Sequence, residues 1–165
     1  MSPARIAAAL ALVALALPAA GQSPGPGREG PSAFADLGGG GAVSGSRGDA
    51  TSGGVFEAEV GAGYDLGQGL RPELGLLVGL APTGYLGLRP GLRYTLDRLP
   101  FSFRGALDFA APHGSWRMRF LLAGAATEVR FTDLLGVFAE ADLGIPVASK
   151  AGLAFLVRAG VSVRL

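Results

Sequence analysis

From Ser32 onward the chain repeats one pattern, in which runs of about ten residues alternate apolar positions with polar or side-chain-free ones and then break at turn residues. Eight such runs are legible, over 32–43, 55–66, 70–80, 85–96, 101–110, 116–131, 136–145 and 153–165. The breaks contain SGSRGDATSGG, GQG, APTG, DRLP, APHGS, TD and PVASKAG, which is turn chemistry. Successive side chains of a strand point to opposite faces, so each run predicts a two-faced strand. In FEAEVGAGYDL, Phe56, Ala58, Val60, Ala62, Tyr64 and Leu66 share one face, while Glu57, Glu59, Gly61, Gly63 and Asp65 share the other. The same division recurs in 101–110, 137–147 and 153–165. A helical period of 3.6 is absent beyond the first residues.

Two runs are irregular. The run 116–131 opens with Trp116, Met118 and Phe120 on its apolar parity and closes with Val129 and Phe131 on the other, so a bulge near Gly124 is expected to restore the phase. Pro90 stands inside GLRPGLRYTL, where it has no N–H for a ladder. Either that strand is bulged, or Arg89 to Gly91 is a turn and the strand count is not eight.

Alternation alone fits a soluble barrel with an apolar interior as well as a membrane barrel with an apolar exterior. The polar face favours the second. A solvated face is usually dressed with lysine and amides, yet the chain has one lysine, Lys150, and no asparagine. Its polar face carries glycine, arginine and carboxylate: Glu57, Glu59, Glu73, Asp108, Glu140 and Asp142 against Arg89, Arg93, Arg104 and Arg158, with Arg117 among further arginines on the same runs. Arginine pairs carboxylates through a planar fork, which suits a closed interior network. An eight-stranded barrel is only just wide enough for its own side chains, so Gly61, Gly63, Gly75, Gly79, Gly87, Gly144 and Gly160 are expected to make room for the arginines.

The expected fold is therefore all-β, a closed antiparallel transmembrane barrel in up-and-down order. Its lipid-facing residues would include Phe56, Val60, Phe103, Leu107, Val137, Leu143, Phe155, Val157 and Val161. Tyr64, Tyr85, Tyr94 and Trp116 would serve as interfacial aromatics.

The first residues change the picture of where this happens. MSPARIAAALALVALALPAAGQ has an early Arg5, an apolar run from Ile6 to Leu17 and small residues at Ala19, Ala20 and Gly21, the layout of a cleaved signal peptide over 1–21. A flexible Pro/Gly-rich tail over 22–31 would lead to the barrel at 32–165. Loss of Arg5 leaves equal numbers of basic and acidic residues, so nothing in the charge points to nucleic acid. The chain has no cysteine and one histidine, His113, so neither a metal nor another cofactor is expected.

These runs resemble the small outer-membrane β-barrel proteins of Gram-negative bacteria, of the kind represented by the membrane domain of outer membrane protein A and by outer membrane protein X. RPELGLLVGL at Arg71, PGLRYTL at Pro90, LGVFAEADL at Leu135 and LVRAGVSVRL at Leu156 carry the resemblance. It implies an outer-membrane location, contact with membrane lipid and lipopolysaccharide, assembly by the barrel-assembly machinery, and outward placement of the longer breaks. The family usually ends on an aromatic residue; this chain ends on Leu165.

Candidate chemistry is sparse. His113-Gly114-Ser115 resembles the His-x-Ser element of outer-membrane lipid A deacylases, with Glu128 as the third member of a triad. The asparagine that normally follows that serine is replaced by Trp116. Arg47-Gly48-Asp49 matches an adhesion tripeptide, and the acid pairs Glu57/Glu59 and Glu140/Asp142 read better as salt-bridge partners than as acid and base. The expectation is a non-enzymatic barrel with a filled lumen and a structural or surface-interaction role. A soluble periplasmic barrel holding an apolar ligand and a deacylase-like enzyme stand as the alternatives.

Overall fold

The computed structural model describes residues 29–44, 51–82, 84–96, 99–111, 114–147 and 152–164. The segment 1–21, nearly all of the 22–31 tail, Arg47-Gly48-Asp49, His113, Lys150 and Leu165 lie outside the described residues. The elements are β1 (Gly30–Ser44), β2 (Thr51–Asp65), β3 (Leu70–Ala81), β4 (Tyr85–Thr95), β5 (Phe101–Ala110), β6 (Arg117–Arg130), β7 (Leu135–Pro146) and β8 (Leu153–Arg164). Each strand pairs with its neighbour in sequence, and β8 pairs antiparallel with β1 to close the barrel. Closure leaves no edge whose N–H and C=O groups lack partners. The barrel begins slightly earlier than 32, since Gly30 and Pro31 already pair with Asp65 and Tyr64.

Pro90 neither bulges its strand nor turns it. The β3–β4 register runs without a shift through Leu74↔Pro90, and on the other side Leu88↔Phe109 and Gly91↔Ala106 keep one register across the proline. Only the local ladder towards β5 is interrupted, at the cost of the donor that proline lacks.

The phase change in β6 also lies elsewhere than Gly124. Pairing with β7 is continuous through Gly124↔Asp142, whereas pairing with β5 jumps from Asp108↔Phe120 to Phe109↔Met118. The extra residue is Arg119. Its guanidinium turns inward to Asp108 (2.8 Å) and over the Tyr85 ring (4.3 Å), and the parity of every residue after it follows from that turn. A second register shift, between Phe56 and Glu57, leaves Leu80 without a partner on β2.

The β2–β3 turn shows why GQG stands there. Gly67, Gln68 and Gly69 all have positive φ (79°, 51° and 77°), a conformation that glycine adopts at least cost. A Cβ on Gly69 would also meet the Thr95 carbonyl, whose own N–H donates to the Gly69 carbonyl at 2.8 Å.

The two faces of the sheet have opposite character. Burial alternates residue by residue along β3 and β5. Leu74, Leu76, Leu86, Leu92, Phe103, Leu143 and Phe155 are exposed on the outside, while Glu57, Glu59, Arg89, Arg104, Asp108, Glu140, Asp142 and Arg158 are buried inside. Twelve residues, the length of β8, span about 28 Å when tilted, which matches an apolar band of about 25 Å.

Candidate functional site

The lumen has three zones. The last residues of β1, β3, β5 and β7 lie at one end, the loop end; the first residues of β1 and the last of β8 lie at the other, the terminus end.

The middle zone is an arginine and carboxylate core. Glu59 on β2 is one hub: it accepts from Arg89 of β4 (2.6 Å), Arg104 of β5 (2.9 Å) and Arg158 of β8 (2.6 Å). Glu140 on β7 is the other, and is held by Arg93, Arg104 and Arg158. Arg89 also reaches Glu57 (2.7 Å) and Asp108 (3.1 Å), Arg93 and Arg104 share Glu73, and Arg158 closes on Asp142. Since the partners come from opposite sides of the barrel, this network crosses the lumen rather than lining it. Removing two such charges from water costs several kcal/mol per ion, so the core is tolerable only because almost every guanidinium meets more than one carboxylate. Asp36 on β1 is the exception: its side chain is 1 % exposed, its nearest cation is Arg158 Nη1 at 3.9 Å, and neither oxygen accepts a hydrogen bond.

Glycines create the space this needs. A Cβ at Gly75 would strike the Glu59 carboxylate, at Gly38 the Arg158 chain, at Gly124 the Asp142 carboxylate, and at Gly160 Asp36. Not every interior glycine serves a charge, however. Gly61 makes room for the Phe34 ring, Gly79 for Tyr85, and Gly144 for Ala154, Leu122 and Phe120.

Towards the loop end the lumen turns apolar. Leu122, Leu156 and Ala106 pack together with Phe120 against them, and Leu77 is also fully buried. Tyr85 belongs to this interior and is not an interfacial aromatic: it is buried, and its hydroxyl donates to Glu57 Oε2 at 2.9 Å. Inward placement satisfies both ends of a side chain whose ring stacks under Arg119. Its parity, shared with Arg89 and Arg93 on β4, is the signal that would have placed it.

Towards the terminus end lies an aromatic floor. Phe34 and Phe138 meet edge to face at 6.5 Å between centroids, with Arg104 over the first ring (5.9 Å) and Arg93 over the second (6.0 Å). Beyond it sit Arg71, Asp65, Glu128, Arg130, Ser162 and Arg164.

The other named positions fall as follows. Phe56, Val60, Phe103, Leu143, Phe155 and Val161 are exposed on the outer face, where Leu107, Val137 and Val157 are half-buried. Tyr64, Tyr94 and Trp116 are exposed; Arg117 is exposed too, and takes no part in the interior network. The Ser115–Glu128 pairing is overturned by distance along the strand. Ser115 is exposed just before β6 begins, and Glu128 stands near its far end, roughly 40 Å of extended chain away. Glu128 is instead bound by Arg130 (2.6 Å) and Ser162 (2.5 Å). Among the described residues no group of carboxylate or imidazole side chains is arranged to hold a metal ion.

No family model matches the chain, and no curated protein matches it detectably. Among solved structures it is similar to Neisserial surface protein A, with 20% identity over 82% of this chain and 97% of that one and a TM-score of 0.57. It is also similar to Ail, the attachment invasion locus protein of Yersinia pestis, solved with the heparin analogue sucrose octasulfate (11% identity, 84% and 100% of the two chains, TM-score 0.54). A de novo designed transmembrane β-barrel matches as well (14% identity, 85% and 99%, TM-score 0.53). What these likenesses share is the fold, a small eight-stranded barrel of the transmembrane kind.

Proposed function

We propose that the chain is exported with removal of residues 1–21 and works as an outer-membrane β-barrel of a Gram-negative bacterium, its lumen plugged, in a structural or surface-interaction role. The observation that carries this reading is the inverted barrel: exposed leucine, valine and phenylalanine outside, ion-paired arginine and carboxylate inside. In water so large an apolar exterior would drive association. In lipid it is the required solvent-facing surface, and the interior charges are shielded from hydrocarbon. The names of two structural neighbours, a surface protein and an attachment invasion locus protein, support a surface role.

The soluble alternative loses its basis, because the face that would hold an apolar ligand is the charged one. Lipopolysaccharide and membrane lipid are the expected surroundings, with the barrel-assembly machinery as the partner in insertion. The loop end then faces outward and the terminus end faces the periplasm.

Cell fractionation tests the location: recovery only with detergent, and a folded form that migrates differently on an unheated gel, is the expected result. Recovery from the soluble periplasm without detergent would refute it. In planar bilayers the purified barrel should give no steady conductance, since the charged core crosses the lumen; stable channels would refute the plug. Ser115→Ala is expected to leave lipid A acylation unchanged, and a change would restore the enzyme reading.

A further inference from the structure

The terminus-end mouth of the lumen differs from the core in one respect: each of its guanidinium groups meets a single carboxylate, two of them no closer than 3.6 Å. Arg130 donates from Nη2 to Glu128, but its Nε and Nη1 are buried and have no partner. Its side chain is 10 % exposed, so bulk water does not meet those atoms. Arg164 Nε is likewise buried without a hydrogen bond, with Asp65 no nearer than 3.6 Å. Arg71 lies across Gly63 and reaches Glu73 only at 3.6 Å, because that carboxylate is already taken by Arg93 and Arg104.

The register gathers the three arginines at one mouth: Gly63, which Arg71 crosses, pairs with Ser32, Ser32 pairs with Arg164, and the Glu128 that Arg130 holds also accepts from Ser162, two residues before Arg164 on β8. The acids facing them are Asp65, Glu73 and Glu128, of which Glu73 is committed to the core and Glu128 is shared with Ser162. A buried donor without an acceptor is costly, and Arg130 and Arg164 between them keep three such N–H positions.

Beside Arg71 there is room for one atom of an accepting group. A cavity of about 10 Å³, enough for one oxygen-sized group, opens between Arg71, Arg93, Ser102, Glu128 and Ser162 above the Phe34 and Phe138 floor. Ser32, beside Arg164 in the ladder, has a buried hydroxyl with no partner.

We propose that this mouth is a binding site for a small oxyanion of the phosphate or carboxylate class, one oxygen entering the cavity and the others meeting Arg71, Arg130 and Arg164. Arginine suits oxyanions because its donors lie in a rigid plane. The site is separate from the central plug, and it does not depend on what the loops do outside the cell. Two sources share this chemistry, a free anion from the aqueous side and a phospholipid headgroup at the rim.

The test is calorimetric titration of the purified folded barrel in a non-ionic detergent at constant ionic strength, with inorganic phosphate in one arm and phosphatidylglycerol in the other. Wild-type protein should bind about one phosphate per chain, and Arg130→Gln should weaken that binding by about tenfold or more, the loss of one charge-assisted hydrogen bond. Phe103→Leu, on the outer face, should bind as wild type does. Should Arg130→Gln fail to fold, Arg164→Gln, at the more open edge of the mouth, takes its place with the same expectation. Saturable binding of phosphatidylglycerol but not phosphate, lost in the arginine variant, would assign the site to a headgroup. Binding of neither ligand, or equal binding in the arginine variant, would overturn the proposal.

Discussion

The middle and the loop end of the same lumen are filled by different physics. In the middle, Arg158 is bound by Glu59, Glu140 and Asp142, and the space is held by direction and charge. At the loop end Leu122, Leu156 and Phe120 fill volume with no polar demand at all. The contrast teaches that the interior of so narrow a barrel is not polar by nature. In the middle, charges are admitted as a set in which each guanidinium meets more than one carboxylate, with Asp36 the exception, and leucine fills the space where no charge is present.

The sharpest way to break the comparison is to remove one partner from each zone. Arg158→Met leaves Asp142 buried without a cation, removes one of three arginines from each of Glu59 and Glu140, and should cost about 3–5 kcal/mol, read as a lower urea midpoint for unfolding from lipid vesicles. Leu122→Ala leaves only a cavity, at a cost of about 3 kcal/mol by the same measurement. If Leu122→Ala proves much the more damaging, the charged middle is not what holds the barrel together.

Overpacking sets the filled lumen, at Gly75, against the open outer face, at Gly105. Gly75→Ala pushes a methyl into the Glu59 carboxylate and should destabilise by about 1–3 kcal/mol. Gly105→Ala meets nothing within 4 Å and should stay within about 0.5 kcal/mol of wild type. An effect at Gly75 as small as that at Gly105 would mean that the lumen is looser than its contacts imply.

How much of this was legible beforehand depends on the strand. In β2, β5, β7 and β8 one parity is apolar and the other charged, so strand and faces could both be read from the residues. In β3, LGLLVGL offers apolar residues on both parities, and Leu77 looks no different from Leu76 although only Leu77 is buried. In β1, ADLGGGG presents glycine on both faces, which hid Asp36 as a lumen residue. Phe34 and Phe138 lay inside because a ring can stack beneath a guanidinium, an option that composition does not announce. The bulge at Arg119 was invisible for a related reason: the groups that Arg119 turns towards, Asp108 and Tyr85, are on other strands.

If the apolar face meets lipid while the charged face meets itself, accessibility must alternate along every strand. The chain has no cysteine, so single cysteines can be placed along β8 from Leu153 to Val163 and spin-labelled in lipid bilayers. High oxygen and low aqueous-reagent accessibility is expected at Leu153, Phe155, Val157, Ala159 and Val161, and low accessibility to both at Leu156 and Arg158. Aqueous reagent reaching the first set, or no alternation along the strand, would contradict it.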